Sequence, residues 1–322
     1  MSNLPLLTVK NLSKRFNLEA GFFARFGRFV NAVNDISFSI GKNEAYGLVG
    51  ESGCGKTTTA RLLVRMYETD TGQILFNDGE NISSAALLKK DALRQYREKI
   101  RYVFQDPARS LNPRMSVYEV LVSGCRKPLR KKGIKEKELR EKAASILEEV
   151  GLGAADLEKR PSEFSGGQRQ RISIARALLM EPELLICDEV VSALDVSIQG
   201  QILNLLLDIR KKRNISFLFI AHDLKVACYF CDRIGVMYKG EMMEEASAAD
   251  LYKEGVHPYT KLLFSSVAGN KENYHAKTLS RQEDNSGCSF APRCPKAIDR
   301  CWNEHPQLIQ KNSGHLIRCF NC

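Results

Sequence analysis

The stretch Gly50–Thr58, GESGCGKTT, constrains this chain more than any other. Ala45–Val49 before it is a short apolar run of strand character. Thr58–Tyr67 after it carries Leu62, Leu63 and Met66 at helical spacing. A glycine-rich turn between a buried strand and a helix start is a nest for phosphate oxygens, because bare amides and the helix N-terminus converge there. Gly50, Gly53 and Gly55 permit the tight backbone that this requires. Lys56 is a mobile point charge able to reach β- and γ-phosphates. The Thr57 hydroxyl is placed to ligate Mg²⁺. The alternative is a glycine-rich turn with no ligand, and the Lys-Thr offset and the flanks argue against it.

With 322 residues the chain can bury a substantial core and hold more than one domain. No apolar run approaches the roughly 20 residues that span a bilayer. The N-terminal segment lacks the ordered parts of a signal peptide, so the chain is expected to stay in the cytosol. A net charge of +10 suits an anionic partner, or simply a solvated basic surface. Ten cysteines divide unevenly: Cys54, Cys125, Cys187, Cys228 and Cys231 are spread out, while Cys288, Cys294, Cys301, Cys319 and Cys322 crowd the tail. A reducing cytosol argues against structural disulfides and points to a metal or cluster site in that tail.

In chain order, Leu6–Val9 and Ile36–Ile40 read as strands. Phe16 between them either stacks on a purine or packs on its own domain. Phe22, Phe23, Phe26 and Phe29, with Arg25 and Arg28, read as a hairpin extension or a surface for a membrane or partner. Ile74–Phe76 is a further strand and 83–100 a charged helical stretch. Tyr102–Phe104 is a strand-like run that delivers Gln105 to its end, where a polar side chain can reach a metal at a phosphate site. From Ser116 to Gly151 the composition is helical and charged, an insertion into a nucleotide domain.

Phe164–Arg171, FSGGQRQR, opens an amphipathic helix expected over Ile172–Met180. Ser165 is a natural N-cap, and Gly166 and Gly167 bare the amides of a second anion-binding helix end. One nucleotide is gripped by both ends only if they belong to facing copies. The buried strand Leu184–Cys187 ends in Asp188, suited to hold hydrated Mg²⁺, and Glu189, suited to polarise water. Ser216–Ile220 ends near His222, positioned to meet a γ-phosphate.

These residues resemble the ATPase subunit of ABC transporters over nearly the whole chain. The resemblance makes Gly50, Glu51, Ser52, Gly53, Cys54, Gly55, Lys56, Thr57 and Thr58 the Walker A loop and Gln105 the Q-loop. Ser165, Gly166, Gly167 and Gln168 become the signature, Leu184–Asp188 Walker B and Glu189 the catalytic carboxylate. Asp195 ends the D-loop, and His222 is the switch histidine. The implied fold is α/β: a P-loop NTPase nucleotide-binding domain with an antiparallel β part, a helical subdomain and a small cysteine-rich C-terminal extension. The expected limits are 1–255 for the ATPase domain, 106–175 for the helical subdomain and 256–322 for the extension. Two such domains clamp two ATP molecules head to tail. Two departures stand out: Phe164 replaces the usual leucine before the signature, and Val190 the usual proline after Glu189.

The segments 104–117, 192–201 and 257–263 are similar to the peptide importer group, and Cys54-Gly55-Lys56-Thr57-Thr58 to its F-type subunit. From physical chemistry alone, His257-Pro258 is a helix start. The group implies import of dipeptides, oligopeptides or, in some members, nickel. It also implies a D-type ATPase partner, two membrane permeases and an external peptide-binding protein, with this chain on the cytoplasmic face of the membrane. The competing class is a soluble ABC ATPase of translation, repair or cluster assembly. Its nucleic-acid variants call for interleaved basic and aromatic residues that this chain lacks, so no nucleic acid is expected. Cys288, Cys294, Cys301 and Cys319 match the cysteine pattern that closes these subunits. Four thiolates hold a [4Fe–4S] cluster or tetrahedral Zn²⁺, or remain free thiols.

Overall fold

The computed structural model describes residues 4–17, 29–79, 81–267 and 287–322. In chain order it forms β1 (Leu7–Asn17), β2 (Phe29–Ile40), β3 (Ala45–Val49), α1 (Lys56–Leu63), β4 (Thr71–Asn77), β5 (Ile82–Ser84), α2 (Lys90–Lys99) and β6 (Ile100–Val103). Next come α3 (Pro107–Ser110), α4 (Val117–Val122), α5 (Arg126–Lys131), α6 (Glu136–Glu149), α7 (Gly166–Leu178), β7 (Leu184–Asp188), α8 (Val196–Arg213) and β8 (Ser216–Ala221). The chain ends with α9 (Leu224–Phe230), β9 (Arg233–Tyr238), β10 (Glu241–Ser247), α10 (Ala248–Glu254), α11 (Pro258–Val267), α12 (Asp299–Asn303), β11 (Ile309–Asn312) and β12 (His315–Ile317). These elements divide into two compact units, one of Met1–Leu88 with Leu218–Cys322 and one of Lys89–Phe217.

The first unit contains two sheets. One is four-stranded and antiparallel in the order β2-β1-β4-β5. Alternate residues Leu7, Val9, Ile74 and Phe76 bury one face, the period expected of a half-solvated sheet. Asn11 and Asp35 break the β1–β2 register in left-handed backbone, a conformation that short amide and carboxylate side chains tolerate. Asn11 Nδ2 donates to Asp35 Oδ1 at 2.8 Å, which ties the two irregular residues together. The other sheet runs β11-β12-β10-β9-β3-β8 within this unit, with β3 and β9 parallel. β3 and β8 are buried throughout and accordingly read as unbroken apolar runs. Lys239 and Gly240, both at positive φ, make the two-residue turn from β9 into β10.

Strand β10 buries Glu241, Glu244 and Glu245. A buried carboxylate is tolerated only with partners, and the C-terminal residues supply most of them. Glu241 receives Asn34 Nδ2 at 2.9 Å and Ser289 Oγ at 2.8 Å, and lies 2.8 Å from His305 Nε2. Glu244 accepts the backbone N–H groups of Val256 and His257 at 2.9 and 3.0 Å and lies 2.7 Å from His315 Nε2. Glu245 pairs with Arg233. Glu241 and Glu244 thus fasten residues 256, 257, 289, 305 and 315 to the sheet.

In the second unit β6 and β7 pair in parallel, Ile100 opposite Leu184 and Val103 opposite Cys187. Helices α3, α4 and α6 all pack on α7. Ser116 and Glu119 close a capping box at the start of α4, with bonds of 3.2 and 2.8 Å. Glu149 at the end of α6 takes the forked guanidinium of Arg213 from α8.

Three element limits differ from the sequence expectation. Helix α1 begins at Lys56 and stops at Leu63, because Arg65 turns into left-handed backbone and sends Nη1 to the Ala85 carbonyl at 2.8 Å. The stretch 83–100 is α-helical only over Lys90–Lys99, after a single 3₁₀ turn at Ala85–Leu87; Leu87 is exposed, so its leucines do not form one buried stripe. Helix α7 starts at Gly166 under the expected Ser165 cap, but ends at Leu178, two residues short of Met180. Phe22, Phe23, Phe26, Arg25 and Arg28 lie outside the described residues, and Phe29 is an exposed residue of β2.

The Glu244 anchor makes a prediction. Glu244→Ala strands buried donors of Val256, His257 and His315, and is expected to destabilise folding by roughly 2–4 kcal/mol. Urea unfolding followed by circular dichroism measures this; an unchanged midpoint would contradict the anchor.

Candidate functional site

The first unit carries the phosphate loop. Strand β3 leads into Gly50, and α1 starts directly after Gly55, whose φ is 111°. A Cβ on Gly50 would meet the Met237 carbonyl oxygen at 2.1 Å, and one on Gly55 the Ala32 carbonyl oxygen at 2.2 Å. Both positions therefore exclude every side chain. Lys56 is 4% exposed, and its Nζ donates to the carbonyls of Gly50 at 2.7 Å and Glu51 at 2.9 Å. The ammonium is held inside the loop by the loop's own backbone. Ser52 and Gly53 are exposed at its crest, and Thr57 and Thr58 are half-buried in the first turn of α1. Cys54 is buried, which pushes its thiol up against the opposing pull of Lys56.

Glu51 has every polar group committed. Its N–H donates to the Tyr259 hydroxyl at 2.9 Å, and its carbonyl accepts from Lys56 and from the Cys54 N–H at 3.2 Å. Its carboxylate is forked by Arg293, Nη1 to Oε2 at 2.7 Å and Nη2 to Oε1 at 2.8 Å. Arg293 holds that carboxyl below its ordinary value of 4.5, burial opposing. The guanidinium lies over the rings of Tyr238 and Phe290, at 5.7 and 5.9 Å from their centroids. Those two rings and Tyr259 are mutually in contact, with centroids 4.8 to 5.3 Å apart. His257 Nδ1 accepts the Tyr259 N–H at 3.0 Å, so this nitrogen carries no proton; burial pushes the imidazole down to about 4, in agreement.

Phe16, half-buried at the end of β1, meets Tyr67 edge-on with centroids 5.3 Å apart. His222 is exposed at the end of β8, just before Asp223, which caps α9 by accepting from Lys225 N at 2.8 Å.

The second unit carries the carboxylates. Asp188 ends β7, is buried, and accepts the Tyr102 hydroxyl proton from β6. Glu189 follows in left-handed backbone at φ 49°, a costly conformation for this residue type and one concentrated at functional sites. Its carbonyl receives both Ser192 N and Oγ, at 3.1 and 2.9 Å, and its Oε2 receives Gln105 Nε2 at 2.7 Å. Val190 is buried, so an apolar residue fits where proline is usual. Ser165 caps α7: its Oγ accepts from Gln168 N at 3.3 Å, and Gln168 Oε1 accepts from Ser165 N at 2.9 Å. Gly166 and Gly167 form the first turn; a Cβ on Gly167 would meet Ile198 at 2.7 Å. Asp195 is exposed and precedes α8.

In the tail, Cys288, Cys294, Cys301 and Cys319 line one small cavity with Phe290 and His257. All are free thiols. Their expected role as cluster ligands is not formed in this geometry: among the described residues no group of three or more His, Cys, Asp or Glu side chains is arranged to hold a metal ion. Cys319 instead accepts the Cys322 thiol proton, Sγ to Sγ 2.9 Å, and this bond holds Cys319 below the usual thiol value. The donor set, four soft sulfurs with no carboxylate among them, is still the chemistry of iron–sulfur or zinc sites.

Tyr102, Tyr259 and Arg293 escaped the sequence reading. Tyr259 lies in the segment 257–263 and Arg293 directly before Cys294, so both sat beside motifs that carried a signal.

A strand–glycine loop–helix with a buried lysine, and a strand ending in adjacent carboxylates beside a glutamine, define a P-loop ATPase. The chain belongs to the ABC transporter family. A family model described as "ABC transporter" matches residues 33–192, and one described as "Oligopeptide/dipeptide transporter, C-terminal region" matches 243–301. The chain is 45% identical over 314 residues to the oligopeptide transport ATP-binding protein OppF of Bacillus subtilis, covering 98% of this chain and 96% of that one. It is 41% identical to the oligopeptide transport ATP-binding protein AppF of the same organism, with the same coverage of both chains, 98% and 96%. Among solved structures it is similar to the ATP-binding cassette MJ0796 in a dimeric post-hydrolysis state bound to ADP and Pi. That likeness has a TM-score of 0.63 and 26% identity, over 75% of this chain and 98% of that one. It is also similar to cbiO1 of Clostridium perfringens, with TM-score 0.65 and 27% identity, over 78% and 92%.

The Arg293 fork sets a titration. A carboxyl depressed in the folded state contributes stability above its unfolded pKa and loses it as pH falls through the folded pKa. The Glu51 carboxyl, followed by NMR, is expected to titrate below 4.5 in the native chain and to rise towards 4.5 in Arg293→Ala. An identical midpoint in both proteins would contradict the fork.

Proposed function

We propose that this chain is the ATP-hydrolysing subunit of an importer of di- or oligopeptides, peripheral at the cytoplasmic face of the membrane. The observation that carries the reading is the joining, in one chain, of the ATPase motifs to the C-terminal region matched at 243–301. The relatives named as oligopeptide transport ATP-binding proteins support it over nearly their full length. Among the described residues no helix is long and apolar enough to cross a membrane. The kinship with peptide importers assigns the passage for the solute to two permeases, with a D-type ATPase as second cassette and an external peptide-binding protein delivering the solute. We take 1–255 as the ATPase domain, 106–175 as its helical subdomain and 256–322 as the extension.

The residues are assigned as follows. Phe16 stacks on adenine. The amides of Gly50–Thr58 and the Lys56 ammonium bind the phosphates, and Ser165, Gly166, Gly167 and Gln168 of one cassette face the nucleotide of the other, with Asp195 at the dimer seam. Thr57, Asp188 and Gln105 offer the hard oxygen donors that suit Mg²⁺, which when bound neutralises phosphate charge. Glu189 accepts a proton from the attacking water, Gln105 orients the Glu189 carboxylate, and His222 stabilises the γ-phosphate.

Glu189→Gln is expected to lower ATP turnover by roughly 10²–10⁴ while leaving ATP binding intact, the loss of general-base help. Normal turnover would refute the role. Tagged Glu189→Gln protein drawn with ATP from detergent-solubilised membranes is expected to bring two integral membrane proteins and a second ATPase. Recovery of soluble or ribosomal partners alone would favour a non-transport ABC ATPase.

For the tail we propose that Cys288, Cys294, Cys301 and Cys319 ligate a [4Fe–4S] cluster, with Zn²⁺ as the alternative metal. The support is four thiols around one cavity in a segment fastened to the sheet by buried glutamates. Protein purified without oxygen is expected to contain iron and acid-labile sulfide in equal amounts. Iron-free, zinc-loaded protein would replace the cluster with zinc, and metal-free protein would leave free thiols.

A further inference from the structure

The C-terminal extension meets the phosphate loop at Glu51. This is the only acidic side chain in Gly50–Thr58, the stretch whose work is to attract phosphate. Left free, its carboxylate repels an incoming polyphosphate and competes for the Lys56 ammonium, which already rests on the Glu51 carbonyl at 2.9 Å and draws the Glu51 carboxyl downward by its charge. The structure removes that competitor. Arg293 forks both carboxylate oxygens at 2.7 and 2.8 Å, and Tyr259 takes the Glu51 N–H at 2.9 Å. The clamp is itself held. Tyr259 and Phe290 are fully buried, Tyr238 packs against both, and the guanidinium lies over the Tyr238 and Phe290 rings. A planar fork stacked on aromatic faces is a task for arginine rather than lysine.

We propose that Arg293 is a positioning residue for nucleotide binding: it sequesters the Glu51 carboxylate so that the loop and Lys56 present net positive charge to the ATP phosphates. Arg293 acts through Glu51 and touches no reacting atom. The extension thereby sets the nucleotide affinity of the cassette. The inference rests on reading Gly50–Thr58 as the ATP loop. Lys56→Ala tests that reading by itself, since it is expected to abolish nucleotide binding whatever Arg293 does.

The experiment is titration of the full-length chain with a fluorescent ATP analogue, together with steady-state ATPase kinetics. Arg293→Ala is expected to raise Kd and KM by roughly 5–10-fold with kcat held within about twofold, the signature of lost ground-state binding. The double variant Arg293→Ala with Glu51→Gln is expected to recover most of the affinity, because it deletes the carboxylate that Arg293 had masked. Arg293→Lys, which keeps the charge and loses the fork, falls between, and carries the test if Arg293→Ala does not fold. A merely structural role predicts the reverse: the double variant binds no better than Arg293→Ala, with kcat and melting temperature falling together. That pattern, or native Kd in Arg293→Ala or Arg293→Lys, overturns the proposal. Native binding by Lys56→Ala would instead overturn the assignment of the loop.

Discussion

A buried lysine organises the first unit. An ammonium out of water is costly unless hydrogen-bonded, and Lys56 is satisfied by the Gly50 and Glu51 carbonyls of its own loop. Those carbonyls point inward only because the loop turns through glycines, where side chains would strike the Met237 and Ala32 backbone. The loop is thus a closed electrostatic arrangement before any phosphate arrives. Its amides and lysine need not be gathered on binding, which is the physical content of preorganisation.

The second unit solves the complementary problem of placing carboxylates. Asp188 and Glu189 are neighbours in sequence but differ in setting. Asp188 ends a fully buried strand and takes the Tyr102 hydroxyl, whereas Glu189 is turned out by left-handed backbone and meets Gln105. Adjacent carboxylates in different surroundings suit different tasks, one for a cation and one for a proton. The Gln105–Glu189 bond also joins the end of β6 to the end of β7, so a displacement at residue 105 bears directly on the Glu189 carboxylate.

The extension is a fastened part of the first unit, and its anchors are polar. Glu241 and Glu244 face half-buried His305, buried His315, backbone amides and a serine across β10. A polar anchor is exacting: hydrogen bonds with fixed partners specify one arrangement where apolar contact tolerates several. That exactness lets Tyr259 and Arg293 meet Glu51 with hydrogen-bond geometry more than two hundred residues along the chain. The cavity lined by four cysteines lies in the same segment, next to Arg293 in sequence.

By itself the sequence determined the local chemistry. Glycine spacing, Lys56-Thr57, the apolar run into Asp188-Glu189 and the Ser165 cap are each written in a few consecutive residues, so strand, loop and helix start were legible there. Boundaries were less so: Arg65 ends α1 through left-handed backbone, and Leu87 lies exposed in a 3₁₀ turn before α2, neither of which leucine spacing encodes. What tertiary structure alone decided is where charge is buried. The stretch Glu241–Ser247 holds three glutamates, yet all but its last residue is buried, because distant groups from Asn34 to His315 partner those carboxylates. Arg293 likewise reads as a surface cation beside a cysteine until folding sets it on Glu51. Local sequence records what a residue can do; only the fold records which distant group is there to make burial of its charge affordable.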